Sequence, residues 1–384
     1  MEANNISNEK IKYVNIGYIL SQFGYTRIID KNATEIKNKL KEFVPDSNIE
    51  LLVFDMDNVI PIYNEVKGKS SYLKPVFEDI VNRESVESIL FANCSEETAN
   101  FLREKDFPDS NNIFVLSFEY ETNFLRSSKN ASSDEALKKI RNLIFNTDTA
   151  TANKDSYLSF ISGLISKRIK RILSENNCIE NLNDPTKHIL NSTPVHVNKY
   201  VNLKPVLENN VYFQEVCYLL YRQIINKCST PNFIVASSRN SIYIASGLLK
   251  YFQTADLIII DQISPVTKLS NFSNLDDIKP RRTYAMIEDF CCMGTEIKTV
   301  KTVLWSRGVN VEQDFYVFPI VSTNLYGKNT NNQFKAQKIY PLYILEKSDN
   351  YLMFTDNCCP YCNGIICEHS KKFNLNKRTL YETI

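Results

Sequence analysis

Between Asn232 and Val321, four short apolar runs (NFIVASS, DLIIID, TYAMIE and DFYVFPIV) alternate with stretches of helical spacing. Runs this short and this apolar belong to strands buried on both faces. A helix between successive strands returns the chain so that they lie parallel. This pattern restricts the region to an α/β fold with a mostly parallel sheet. The expected order is helix Tyr212–Asn226, strand Asn232–Ser238, helix Ser241–Phe252, strand Asp256–Asp261, a polar loop, strand Thr283–Glu288, helix Thr295–Arg307 and strand Asp314–Val321.

The first part of the chain repeats the theme. IELLVFDMDNVI (Ile49–Ile60), VESILFANCS (Val86–Ser95) and NIFVLSFEY (Asn112–Tyr120) read as strands, and EETANFLREKDF reads as a helix. The expected organisation is two Rossmann-like parallel-sheet domains, over 1–150 and 194–345. A helical linker over 151–193 joins them, and a Cys/His-rich tail over 346–384 follows. The 384 residues are enough for this, and the 43% hydrophobic content supplies the cores.

A formal net charge of +1 gives no global field for nucleic acid or an anionic membrane. No apolar run approaches the roughly 20 residues of a membrane span. The opening MEANNISNEK lacks the basic-then-apolar order of a signal peptide. The expectation is a cytoplasmic protein with reduced thiols.

The segment YAMIEDFCCMGTEIKTV (Tyr284–Val300) concentrates the chemistry. Ligands of open parallel sheets sit at the carboxyl ends of strands, where Glu288 and Asp289 are expected. A short loop to Gly294 then opens a helix, whose first turn offers unpaired N–H groups and a partial positive charge. Such a terminus binds phosphate, while two carboxylates accept hydrogen bonds from sugar hydroxyls or face a magnesium shell. A ribose diol beside a phosphate meets both demands.

Strand, two acids, loop with Gly, then helix resembles the phosphoribosyl-pyrophosphate motif of type I phosphoribosyltransferases. The likeness runs over roughly Val195–Val321, and HVNKYVNLKPVLEN (His196–Asn209) resembles the opening segment of the orotate phosphoribosyltransferase group. The resemblance implies that Glu288 and Asp289 hold the ribose hydroxyls and that Cys292, Met293, Gly294, Thr295 and Glu296 cradle the 5′-phosphate. It implies that Ser237, Ser238, Arg239, Asn240 and Ser241 contact pyrophosphate, and that Lys268 is a charge on a mobile loop over Asp261–Arg282. Magnesium would accompany the pyrophosphate. Here Cys292, Met293 and Glu296 stand where the family has hydroxyls, and a carboxylate in the first helical turn competes with phosphate for the same N–H groups. The implied function is binding of phosphoribosyl pyrophosphate or a ribonucleotide, with transfer of phosphoribose to a base if the site turns over. The alternative is a non-catalytic nucleotide sensor, or an effector of a microbial stress or antiviral system, working with a protein partner or as a homo-oligomer.

LLVFDMDNVI resembles, more weakly, the first motif of the haloacid-dehalogenase superfamily, which would make Asp55 the nucleophile and Asp57 the general acid. Ala92, Asn93 and Ser95 lie where that family's second motif carries Ser or Thr, and Asp148 and Asp155 are loose candidates for its later acids. In the tail, CCPYCNGIICEH places Cys359, Cys362, Cys367 and His369 within a short span. Three thiolates and one imidazole form a closed structural zinc set, with free or redox-active thiols as the alternative.

Overall fold

A computed structural model describes residues 10–25, 27–44, 48–56, 60–61, 73–110, 112–117, 124–127, 134–145, 154–181, 189–190, 195–197, 199–263, 268–272, 278–291, 294–323, 338–345 and 353–355. The chain divides into two compact units, Met1–Leu164 and Ile165–Ile384, and the division falls inside the helix Lys154–Glu175. Both units are α/β with parallel sheets.

In the first unit, strands Ile11–Asn15, Leu51–Asp55, Ile89–Cys94, Ile113–Ser117 and Phe124–Ser127 lie side by side in chain order. The first four are parallel and the last is antiparallel. Leu52, Phe54, Phe91, Ile89 and Val115 supply the sheet's part of one core cluster, and Phe54, Phe77 and Phe91 meet ring to ring, with centroids 4.9 to 5.4 Å apart. The expected helix after Ser95 forms over Glu96–Phe101, with the Ser95 hydroxyl accepting from Thr98 N–H, and continues as one wider π turn through Asp106. The strand Ile11–Asn15 was not foreseen, because its lysine and asparagine break the apolar run.

The second unit's sheet has the order Lys268–Phe272, Asp256–Ile263, Phe233–Ala236, Tyr284–Cys291, Phe315–Thr323, Tyr343–Leu345. All neighbours are parallel except the Lys268–Phe272 edge. Among its parallel strands, the first in sequence (Phe233–Ala236) has the second on one side and the third on the other. Chain progression therefore reverses between Phe233–Ala236 and Tyr284–Cys291. Val235, Met286, Val317, Ile258 and Leu304 belong to the core packed on this sheet.

Two departures from expectation have physical causes. The polar stretch expected as a loop contains the strand Lys268–Phe272. An edge strand tolerates polar side chains, so composition hides it. The strand expected to stop at Glu288 continues to Cys291, because its neighbour keeps pairing with it as far as Cys291 opposite Ser322.

The helix Lys154–Glu175 is fastened within the second unit by a bidentate ion pair. Arg168 Nε and Nη2 each donate to Glu215 at 2.7 Å, from a helix turn just inside Asn210–Cys228. Among the described residues no helix is long and apolar enough to cross a membrane.

Candidate functional site

The site lies where the strand order of the second unit reverses, the position at which open α/β sheets leave a crevice beyond their carboxyl ends. The strand Phe233–Ala236 stops at Ala236, opposite Ile287. The partner strand runs on through Glu288 and Asp289, so both acids project past the shorter strand's end. The chain beyond Ala236 turns at once into the helix Arg239–Leu248. Ser238 and Ser241 form a reciprocal cap there: Ser241 N–H donates to Ser238 Oγ at 3.1 Å and Ser238 N–H donates to Ser241 Oγ at 2.8 Å. This rigid turn holds Ser237, Ser238 and Asn240 against the acids.

Glu288 is 2% exposed and accepts from Ser237 Oγ at 2.9 Å. Asp289 is half-buried and accepts from Asn240 Nδ2 at 2.7 Å and from Ser238 Oγ at 3.5 Å. The same Ser237 hydroxyl lies 3.4 Å from Glu296 Oε2, so one serine sits between Glu288 and Glu296. Glu296 belongs to the first turn of the helix Thr295–Ser306, which starts from Gly294 at φ 67°, ψ 25°. That left-handed conformation is one a glycine adopts freely, and it lets the chain turn from strand into helix within a few residues.

Burial is the first cause pushing all three acids upward. Glu288 goes well above the usual carboxylate range, with Glu296 and then Asp289 adding repulsion. For Asp289 the bond from Asn240 offsets part of the rise. Glu296 rises too, burial first, although its exposed surface lets water screen it more than sealed Glu288.

This has a consequence for stability. An acid whose folded-state pKa is raised above its ordinary 4.5 contributes stability that is whole below that value and is lost as pH rises through the folded-state value. Glu288→Gln keeps an acceptor for Ser237 and removes the buried charge. It is expected to raise unfolding free energy by about 1–2 kcal/mol at pH 8 and by much less at pH 4. Urea unfolding of parent and variant at both pH values checks this, and parallel pH profiles would contradict it.

Ser237, Ser238, Asn240, Ser241, Glu288, Asp289, Gly294 and Glu296 are thus brought together. Arg239 opens its helix with an exposed side chain. Lys268 opens the edge strand opposite Ile263. The side chains of Lys268 and Thr295 lie outside the described residues, as do Cys292, Met293, Asp57, Asp148, the side chain of Asp155, and Cys359, Cys362, Cys367 and His369. Among the described residues, no group of three or more His, Cys, Asp or Glu side chains is arranged to hold a metal ion. What sequence reasoning missed is the joining role of Ser237: the sequence marks it as a loop hydroxyl, but not that it links two acids separated by a helix start.

In the first unit, Asp55 ends its strand fully buried. It accepts from Tyr13 Oη at 2.5 Å, Asn93 Nδ2 at 2.8 Å and Asn15 Nδ2 at 3.4 Å. Asn93 takes φ 57° where the strand register shifts between Phe91 and Cys94. Ala92 pairs with Asp55, and Ser95 is spent on a helix cap. The described strands here follow chain order without a reversal, so the sheet has no switch point. Nothing in this geometry adds to the haloacid-dehalogenase resemblance. Asp55 ties three strands together.

No family model matches the chain, and no curated protein matches it. Among solved structures, it is similar to adenine phosphoribosyltransferase from Thermoanaerobacter pseudethanolicus at 13% identity, covering 38% of this chain and 88% of that one, with a TM-score of 0.31. It is similar to orotate phosphoribosyltransferase from Aeropyrum pernix at 13% identity, covering 46% and 93%, with a TM-score of 0.36. It is similar to Leishmania donovani UMP synthase at 12% identity, covering 82% of this chain and 59% of that one, with a TM-score of 0.37.

Proposed function

We propose that the Ile165–Ile384 unit is a phosphoribosyltransferase-like domain that binds a ribose-bearing ligand, drawn from phosphoribosyl pyrophosphate, ribonucleotides and their nucleosides. One observation carries the reading: Glu288 and Asp289 project at the switch point of a parallel sheet, beside a helix start. Asp289, the more exposed of the two, can accept hydrogen bonds from a ligand rich in hydroxyl donors, as a ribose diol is. Ser238 and Asn240 hold Asp289 in place for that contact.

Binding without turnover is the reading favoured here. Ser237, Ser238 and Asn240 take up part of the acids' accepting capacity, and burial disfavours their charge, which leaves less negative charge to steady a positive centre at the sugar. In the transfer reading, the bond from C1 of the ribose to pyrophosphate breaks as a base nitrogen bonds to C1, through an oxocarbenium-like centre. Magnesium would neutralise the departing pyrophosphate. Incubation with phosphoribosyl pyrophosphate, magnesium and a panel of bases, read as pyrophosphate release beside a direct binding titration, separates the two. Binding without release is expected, and release dependent on one base would favour transfer.

The tail is proposed to hold one structural zinc through Cys359, Cys362, Cys367 and His369, on the chemistry of that donor set. Protein purified without added metal is expected to carry about one zinc per chain by elemental analysis, and Cys362→Ser to lose it. Metal-free parent protein would contradict this.

A further inference from the structure

The opposite end of the second unit's sheet, where its parallel strands begin, carries a surface that the ribose reading does not use. Ile278 is buried, and exposed Lys279, Pro280, Arg281 and Arg282 then lead into the strand Tyr284–Cys291. This turn is held firmly. The hydroxyl of fully buried Tyr284 accepts from Lys279 N–H and donates to Lys279 C=O, both at 2.8 Å. Arg281 takes φ 60°, a left-handed backbone that glycine would adopt with less strain, yet the chain keeps a guanidinium there. Among the described residues Lys279, Arg281 and Arg282 make no ion pair. Of the acids that precede the neighbouring strand, Glu312 is taken by Lys301 at 2.6 Å and Asp314 is partly buried.

The helix Thr295–Ser306 ends beside this turn. A Cβ added to Gly308 would lie 3.4 Å from Pro280 Cγ, and Gly308 N–H donates to Trp305 C=O at 2.9 Å. Ile278, Leu304 and Val309 belong to one core cluster, so turn and helix end share a support. Trp305, the chain's single tryptophan, is 68% exposed, the most of any large apolar side chain described. We propose that this end of the sheet binds single-stranded nucleic acid, with backbone phosphates on Lys279, Arg281 and Arg282 and a base stacked on Trp305. Guanidinium forks match phosphate oxygens, and the face of an indole accepts any base. An acidic peptide would satisfy the cations and leave the indole bare, and a duplex keeps its bases stacked inside. The net charge of +1 does not oppose this, because only charges within about 8 Å of a phosphate act on it strongly in physiological salt.

The emission of Trp305 reports on the surface directly. Titration of the full chain at low salt with oligothymidylate and with oligouridylate is expected to quench it saturably. The logarithm of the binding constant should fall with the logarithm of salt concentration at a slope of about −2, as for three phosphates of a single strand. Arg281→Gly with Arg282→Gln removes two charges and suits the left-handed backbone, so the fold should hold, which a thermal melt checks. That variant should bind about 10-fold or more weakly with a shallower slope. By anisotropy of a labelled oligonucleotide, Trp305→Ala should weaken binding about 10-fold with the slope unchanged. Asp289→Asn, at the far end of the same strand, should quench like the parent. No quenching by either oligonucleotide, equal quenching by polyglutamate, or quenching unchanged in the folded double variant overturns the proposal. So does quenching lost in Asp289→Asn, which would place the oligonucleotide at the switch point instead.

Discussion

Replacing Glu215 with Ala is expected to destabilise the second unit by about 3–5 kcal/mol. The Glu215 side chain is 9% exposed and that of Arg168 is 19% exposed, and two parallel hydrogen bonds of 2.7 Å join them. Removing the carboxylate strands a guanidinium that burial already disfavours and that Glu215 restores. The penalty is therefore that of an uncompensated charge, which is larger than the net value of the pair. The double change Arg168→Met with Glu215→Leu should recover most of the loss, because an apolar pair of similar volume needs no desolvation of charge. Urea unfolding of the parent and the two variants decides it. A single variant costing less than about 1 kcal/mol would mean that the pair behaves as a solvated surface bridge.

Asp289→Asn is expected to weaken binding of the ribose ligand by about 10- to 150-fold, the equivalent of one lost charge-assisted hydrogen bond of roughly 1.5–3 kcal/mol. The amide keeps an oxygen for Asn240 or Ser238, and the side chain is only half-buried, so the fold should be retained. Calorimetry on parent and variant with the tightest binder among phosphoribosyl pyrophosphate, ribonucleotides and nucleosides measures the effect. Equal affinities would remove Asp289 from the ligand's contacts.

Much of the second unit was legible because its strands are buried on both faces. NFIVASS and DFYVFPIV have few polar residues to obscure them, and the acids at the end of TYAMIE stand out against that background. Strand order was not legible. Nothing in the apolar runs says that Phe233–Ala236 sits between Asp256–Ile263 and Tyr284–Cys291, yet that order makes a crevice beside Glu288. Edge strands were also hidden, since Ile11–Asn15 and Lys268–Phe272 carry polar side chains that a central strand would exclude. Glu296 was visible as a carboxylate out of place in a helix's first turn. That it reaches back to Ser237 depends on side-chain direction, which spacing alone does not give. For Asp55 the sequence offered a resemblance to a catalytic motif. The three donors that hold it come from residues far apart in the chain, Tyr13, Asn15 and Asn93, which local pattern cannot connect.

Backbone amide hydrogen exchange, with and without a saturating ribose ligand, tests most directly whether the switch point of the second unit is a ribose site. Protection is predicted over 237–241 and 288–298, where the capped serine turn, the acid pair and the helix start converge. It should be lost at the same ligand concentration in Asp289→Asn. Protection confined to the Met1–Leu164 unit, or binding with no change over 237–241 and 288–298, would contradict the account.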